Sequence, residues 1–425
     1  MTRLSDDGFD VVGEQDAAEV VVVNTCGFID AAKAESYAAI EQALDMGREV
    51  VVTGCMGARR DELLSRYPQL QHVSGPGDVA PVVDAVQGYY PARRAVRANR
   101  WMGPSPREAR LRLTPPHYGY LKISEGCNHK CSFCIIPSMR GQLRSNPLES
   151  VVAEAQTMAA EGVKELLLIA QDLGAYGSDL KYADASMPGG AVETRLFELC
   201  RILADIAPWV RLHYVYPYPS VDRLVELMAD GKILPYLDVP LQHASPRILK
   251  AMRRPAAAEK ALQRIRSWRE ICPDLAIRST FIVGFPGETE EDVGLLLDFL
   301  AAAQLDRVGC FPYSHVDGAA ANQLGGAVDE RDMLDRQEMV YELQASISAE
   351  RLDRLVGKRL QVLVDKSGDV CTARTRYDAP EIDGVVYIKD GGRELHPGDM
   401  AWVNIERHDE HDLYGRLQGR ATQIL

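Results

Sequence analysis

Glu125-Gly-Cys-Asn-His-Lys-Cys-Ser-Phe-Cys134 carries three cysteines, Cys127, Cys131 and Cys134, in the spacing C-x3-C-x2-C. The apolar run Tyr120–Ile123 just ahead of it reads as a strand, so the cysteines fall on the loop that leaves a strand's C-terminal end. Thiolates are the usual protein ligands of iron–sulfur clusters. Three of them on one short loop can wrap three corners of a four-iron cube and leave the fourth iron open to a chelating ligand. Three unrelated buried thiols are the bland alternative. The tight spacing, with Gly126 ahead and Phe133 before the last cysteine, argues against it. A zinc site is the stronger rival, but it wants a fourth Cys or His at similar spacing, and His129 lies too close between two of the cysteines to take part easily.

Working outward, strand runs at Tyr120–Ile123, Glu165–Ala170, Val210–Val215, Tyr236–Val239, Ala276–Val283 and Arg307–Phe311 alternate with helical patterns. Thr289-Glu-Glu-Asp292 is a capping box opening the helix before Phe299. Six such units are too few for an eight-fold barrel and suit a partial, open, TIM-like one. Upstream, Glu19–Thr25 and Glu49–Gly54 are buried-strand runs followed by helical patterns at Ala31–Met46 and Ala58–Arg66, which indicates parallel βαβ units. Cys26 and Cys55 fall just past these two strands, at the sheet edge where ligands bind in open α/β folds. Downstream, a helix over about Glu330–Leu355 leads to short alternating strands at Leu360–Val364, Val370–Arg374, Val385–Ile388 and Met400–Ile405, read as a small antiparallel, OB-like β-barrel. The expected layout is an α/β N-terminal domain at 1–90, a Pro-, Arg- and Gly-rich linker at 91–115, the partial barrel at 116–352 and the small barrel at 353–425.

The net charge of −13 argues against a chain dominated by non-specific nucleic-acid binding, though a negative total can hide a basic groove. The apolar runs are of strand length, far short of the ~20 residues of a spanning helix, so no membrane is expected. Met1–Asp10 is polar and acidic, unlike a secretion signal. Nine cysteines without such a signal imply a reducing, cytoplasmic setting, where spaced cysteines bind metal or do catalysis more often than form disulfides. Cys200, Cys272, Cys310 and Cys371 stand alone and are read as structural.

The cysteine motif resembles that of the radical S-adenosylmethionine (SAM) superfamily, whose fold is such a partial barrel. Tyr120-Leu-Lys-Ile-Ser-Glu-Gly-Cys127 and Cys134-Ile-Ile-Pro-Ser-Met-Arg-Gly141 are similar to the methylthiotransferase family, and within it to the RimO type, which modifies a ribosomal protein. Gln171–Gly177, Tyr236–His243, Phe281–Glu288, Asp306–Ser314, Val23–Cys26 and Thr53–Cys55 match as well, and the C-terminal barrel is similar to a TRAM module. The resemblance implies two [4Fe-4S] clusters and SAM. One cluster would sit on Cys127, Cys131 and Cys134 and reductively cleave SAM to a 5′-deoxyadenosyl radical. An auxiliary cluster would sit on the N-terminal domain and supply sulfur, with a second SAM giving the methyl group. The family's N-terminal domain uses three cysteines, the first in a Gly-Cys segment on its opening strand. This sequence has no such segment and begins at what looks like the end of that domain's first helix, so only Cys26 and Cys55 are expected as auxiliary ligands.

Other candidates for the SAM site are Phe133 near the adenine, Gln171 and Asp172 at a strand end, Ser279 or Thr280 facing the barrel interior, and Gly284 in Val283-Gly-Phe-Pro-Gly287. Each has a plain alternative: a packing ring, a hydrogen-bonded turn, an ordinary strand residue, a glycine turn. His213, Tyr214, Tyr216, Tyr218, Gln242 and His243 are candidates for the substrate mouth, with His243 more readily a structural histidine.

The activity implied is conversion of an aspartate of small-subunit ribosomal protein S-twelve to 3-methylthioaspartate. It would use a sulfur carrier and two SAM, and yield 5′-deoxyadenosine, methionine and S-adenosylhomocysteine. A flavodoxin or ferredoxin would give electrons. Methylthiolation of isopentenyladenosine in tRNA is the sister alternative, and a non-catalytic iron–sulfur protein binding RNA or ribosomes is a third. Against tRNA stands the C-terminal segment from Arg354, with eleven cationic and twelve anionic side chains, where an RNA-gripping module carries a positive excess. Asp378-Ala-Pro-Glu-Ile-Asp-Gly384 is expected to be an acidic surface loop suited to a basic protein partner.

Overall fold

The computed structural model describes residues 1–13, 15–77, 79–89, 114–254, 258–389 and 394–421. The expected linker lies outside these residues except for Thr114 and Pro115. The chain divides into two compact units. One holds the described residues up to Tyr89 with Phe133–Gly141 and Ser314–Asn322; the other holds Thr114–Ser132, Gln142–Tyr313 and the described residues from Gln323 on.

In the first unit, β1 (Val20–Thr25), β2 (Glu49–Gly54) and β3 (His72–Val73) form a parallel sheet in that order. The valine run of β2 makes it the central strand, because both of its faces need cover. Val50 and Val52 pack with Ile40 and Ala43 of the helix Asp30–Asp45 and with Leu63. Val51 points the other way, onto Leu4 and onto Val82, Val83 and Val86 of the helix Val79–Tyr89.

In the second unit, β4 (Tyr118–Lys122), β7 (Glu165–Ile169), β10 (Trp209–Leu212), β11 (Tyr236–Asp238), β12 (Ala276–Val283) and β13 (Arg307–Pro312) form an open, six-stranded parallel sheet in sequence order. All six expected strands are present. Two short ribbons are added at loops: β5 (Ser124–Glu125) with β6 (Arg144–Ser145), and β8 (Asp184–Met187) with β9 (Gly190–Glu193). Alternate residues such as Leu166, Leu168, Val210, Leu212, Ile277 and Phe281 pack under the outer helices. The opposite set, among them Leu167, Arg211, Asp238 and Arg278, faces the interior. The helix Glu290–Ala303 opens on the expected capping box, with Thr289 and Asp292 exchanging side-chain-to-backbone bonds.

The helix Glu330–Asp353 leads to a closed barrel of β14 (Arg359–Lys366), β15 (Cys371–Thr375), β16 (Val386–Ile388), β17 (Met400–His408) and β18 (Leu413–Arg420). Its pairings are antiparallel except for the parallel closure between β16 and β18. This barrel covers the N-terminal ends of the six-stranded sheet. Leu363, Ala379 and Met400 pack with Trp209, Tyr236 and Ala276. Beside them the fully buried Glu165 accepts from Arg211 Nε and from Arg374 Nη1, both at 2.6 Å.

This docking corrects the expectation for Asp378–Gly384, which is not an acidic surface loop. Asp378 is buried, accepting from Arg307 Nη2 at 2.7 Å and Thr375 Oγ1 at 2.5 Å. Asp383 accepts from Tyr236 Oη at 2.7 Å and the Ala379 amide at 2.9 Å. Burial, then the neighbouring Asp378, pushes the Asp383 carboxyl up from its usual range. Glu381 alone of the three acids is exposed, accepting from Tyr118 Oη at 2.9 Å. Apolar neighbours and buried arginines drew the other two carboxylates inward. Asp383→Lys should therefore lower the unfolding free energy by more than about 3 kcal/mol, since it buries an unpaired charge, and Glu381→Lys by about 1 kcal/mol or less. Urea denaturation of the full chain checks this, and equal effects would refute the buried loop.

Candidate active site

The C-terminal edge of the six-stranded sheet gathers the polar residues expected from sequence. The ribbon of β5 and β6 pinches off residues 126–143 as one loop bearing the three cysteines. Gln171, just past β7, accepts the Gly126 amide on Oε1 at 2.8 Å. Asn128 Oδ1 accepts the Leu143 amide at 3.0 Å. Ser132 donates through Oγ to the Ala251 carbonyl at 2.8 Å and through its amide to that of Met252 at 3.1 Å. Gln171 is thus a loop anchor.

Each of the three sulfurs accepts an N–H donor. The His129 amide lies 3.4 Å from Cys127 Sγ, Arg254 Nη1 3.9 Å from Cys131 Sγ, and the Ile136 amide 3.4 Å from Cys134 Sγ. Such donors accompany cluster-bound thiolates and tune the cluster. Burial pushes the Cys127 thiol up, while the His129 amide opposes this, so a thiolate there needs a compensating cation such as iron. None of the nine cysteines is in a disulfide. Among the described residues no three Cys, His, Asp or Glu side chains converge as round a single metal ion. The donor set, three half-buried thiols outside any disulfide with N–H groups on their sulfurs, fits a cluster.

His129, passed over at the sequence level because of its place between two cysteines, staples the loop. Its ring stacks on Tyr216 with centroids 4.0 Å apart, and its Nε2 lies 2.9 Å from both Asp172 Oδ2 and Tyr218 Oη. Tyr218 Oη donates to the same Asp172 oxygen at 2.8 Å, while Asp172 Oδ1 is buried without a protein partner. Arg254, which no sequence signal marks, lies 4.3 Å over the Tyr216 ring and donates to the Pro240 carbonyl. Tyr214 (φ 59) and Gln242 (φ 75), just beyond β10 and β11, hold left-handed backbone. Such strain in a side-chain-bearing residue costs about 1–3 kcal/mol and gathers at functional edges.

The remaining candidates separate. Ser279 is fully buried on the face shared with Ile277 and Phe281, and its Oγ accepts the Leu241 amide at 3.2 Å. Thr280, next along β12, takes the interior face. Gly284 has φ 72, and a Cβ there would lie 2.2 Å from Met333 Cγ. Its amide donates to Glu288, so the glycine is explained by a tight turn under the helix Glu330–Asp353. His243 is a satisfied structural histidine: Nδ1 accepts the Ser245 amide and Nε2 meets Glu288 Oε1, both at 2.9 Å. Phe133 is half-buried.

In the first unit, Thr25 pairs with Gly54 at the ends of neighbouring strands, so Cys26 and Cys55 leave the sheet side by side. A Cβ on Gly27 would lie 2.9 Å from Met56 Cγ, which shows how closely the two loops approach. Cys26 is exposed and Cys55 buried, with Arg140 Nη2 donating to Cys55 Sγ at 3.3 Å.

Known proteins resemble this chain over nearly its whole length. The Radical SAM superfamily matches residues 121–300, the TRAM domain residues 356–417, and an uncharacterized protein family, UPF0004, residues 1–75. The ribosomal protein uS12 methylthiotransferase RimO of Azoarcus sp. (strain BH72) is 55% identical over 415 residues, covering 97% of this chain and 92% of its own. Those of Klebsiella pneumoniae subsp. pneumoniae and Marinobacter nauticus are 53% and 54% identical, each over 98% of this chain and 93% and 91% of their own. A solved structure of the radical SAM methyltransferase TsrM from Kitasatospora setae aligns with a TM-score of 0.49 at 16% identity, over 69% of this chain and 63% of its own. The molecule is a radical SAM enzyme of the methylthiotransferase class, using an iron–sulfur cluster and SAM. Within that class the chain belongs to the ribosomal protein uS12 methylthiotransferase RimO family.

If Tyr218 and Asp172 hold the cysteine loop through His129, Tyr218→Phe should slow 5′-deoxyadenosine formation about 10- to 100-fold, as for other residues supporting metal ligands. Chromatographic assay of reconstituted protein measures this. An unchanged rate would show the contact to be incidental.

Proposed function

We propose that this chain converts an aspartate of ribosomal protein uS12 to 3-methylthioaspartate, with Cys127, Cys131 and Cys134 holding the [4Fe-4S] cluster that binds SAM. The observation that carries the reading is the cysteine loop itself: three thiols outside any disulfide, each accepting an N–H donor, at the C-terminal edge of an open parallel sheet. Its substrate comes from relatives more than 50% identical that are named for uS12. When bound, the cluster supplies the electron that splits SAM into methionine and a 5′-deoxyadenosyl radical. The chain's own residues position the parts. Gln171, His129 and Ser132 fix the loop, Asp172 Oδ1 is an unfilled acceptor suited to the SAM ammonium, and Thr280 rather than Ser279 offers a hydroxyl to the interior.

A second [4Fe-4S] cluster, carried by a domain over residues 1–90 and reached by Cys26 and Cys55, would supply the sulfur, with Arg140 donating to Cys55. A small one-electron carrier such as flavodoxin or ferredoxin would reduce the first cluster. Nine free cysteines suit the reducing cytoplasm, and no described helix is long and apolar enough to cross a membrane.

Two experiments test the reading. Anaerobically reconstituted protein should form 5′-deoxyadenosine from SAM, and Cys131→Ala should abolish this, because two thiols cannot hold the cube in register. Unchanged cleavage would sink the assignment of this loop. In cells lacking their own enzyme and complemented with this chain, mass spectrometry should find the methylthio mark on uS12 and none on tRNA adenosine. The reverse pattern would overturn the substrate and leave the radical chemistry standing.

A further inference from the structure

The interior face of the six-stranded sheet carries a buried histidine that neither the cysteine loop nor the fold uses up. Val210 and Leu212 of β10 pack under the outer helices, so Trp209, Arg211 and His213 face inward. The register Leu168–Leu212–Leu237 puts the next residues, Ile169, His213 and Asp238, in one row, which Arg278 and Arg307 continue on β12 and β13. His213 is 4% exposed. Its ring lies edge-on to Tyr236 at 5.9 Å, and its Nδ1 faces Asp238 Oδ2 at 3.5 Å. Its Nε2 is buried and has no hydrogen-bond partner.

Asp238 is held firmly for this task. It is 1% exposed, accepts from Arg278 Nη1 at 3.3 Å, and accepts the Tyr214 amide at 3.2 Å. Tyr214 donates that amide from a left-handed backbone, so strain is spent on fixing the carboxylate that faces the histidine. A buried imidazole nitrogen left unpaired costs free energy unless a ligand completes it. The proposed substrate brings such a ligand. An aspartate presents a carboxylate one bond from the carbon that loses hydrogen and gains sulfur, and a carboxylate entering a desolvated interior needs a donor. Donating to a carboxylate on each side takes an N–H on each ring nitrogen.

We propose that His213 is a specificity-determining residue that receives the side-chain carboxylate of the substrate aspartate on Nε2, while Asp238 fixes the ring from Nδ1. This rests on the aspartate-substrate reading above. Tyr214, half exposed and 6.0 Å from the histidine ring, is the side chain that shifts to admit the ligand.

The test uses full-length reconstituted enzyme with uS12 and with uS12 carrying asparagine in place of the target aspartate. Two variants are compared, His213→Phe, which keeps a ring, and His213→Gln, whose amide reaches the place of Nε2. His213→Phe should raise KM for uS12 and lower the ratio of methylthio product to 5′-deoxyadenosine by about 10- to 100-fold, the range for a lost hydrogen bond to a charged group. It should also lose the preference for aspartate over asparagine, and His213→Gln should regain much of both. A Phe variant that keeps the wild-type ratio and preference overturns the proposal. So does one in which product and 5′-deoxyadenosine fall together, since that marks a role in holding SAM. Failure of the aspartate reading shows instead in the wild-type arm, as SAM cleavage with uS12 unmodified, and takes this proposal with it.

Discussion

Glu165 has no exposure to solvent, yet its carboxylate stands between two guanidinium groups, Arg211 from the six-stranded sheet and Arg374 from the C-terminal barrel. Burial would raise this acid, but the two arginines hold it below the usual carboxylate range. Removing any one member would leave an uncompensated charge in a low dielectric, which costs far more than an intact triad contributes. Arg374 also pairs with Asp365, which reaches His117 ahead of β4, so one network joins the start of the sheet to the closing barrel. The apolar contacts of Trp209, Tyr236, Leu363 and Met400 surround it. The N-terminal edge of the parallel sheet is thereby covered, and chemistry is left to the opposite edge, where open α/β sheets bind their ligands.

At that opposite edge, rigidity comes from polar groups paired with each other. Glu288 is buried and takes donors from the Gly284 amide, from His243 and from Arg336 at 3.0 Å. This fixes the turn after β12 without any ligand. The cysteine loop is held likewise, by Gln171 at its start and Ser132 in its middle. The Ile136 amide points at sulfur from the open start of the short helix Ile136–Arg140, and the His129 amide from irregular backbone, so side chains beyond strand ends hold the rest of the loop.

Much of this was legible in the sequence because it rests on period. The valine runs of β1 and β2, the six alternating βα units and the Thr289–Asp292 box follow from local pattern, and the cysteine spacing marks its loop without help from the fold. What was not legible depends on partners far away in the chain. Leu413–Arg420 carries Gly415, Gly419 and few apolar residues, and becomes a strand only because β16 and β17 present edges to it. Asp378 and Asp383 look like surface acids until Arg307 and Tyr236 are placed beside them. Ser279 and Thr280 are equivalent hydroxyls in the sequence, and only strand register assigns one to each face. His129 read as a bystander because its partners, Asp172 and Tyr218, lie 43 and 89 residues away.

The interior of the sheet also shows how buried charge divides between structure and function. Glu165 and Asp238 are both acids with almost no exposure, on interior-facing positions, and both lie against arginine. Around Glu165 each carboxylate oxygen has its own guanidinium, although Arg211 Nη2 is left without a partner. Nearer the open edge an imidazole is left short as well. Asp238 takes up Arg278 and the Tyr214 amide and faces His213, and there the chain of partners stops at an unpaired Nε2. A fold under selection for stability alone gains by filling or removing such an atom. Keeping it, with strained backbone at Tyr214 to support its orienting carboxylate, makes sense where a ligand with its own negative charge completes the row.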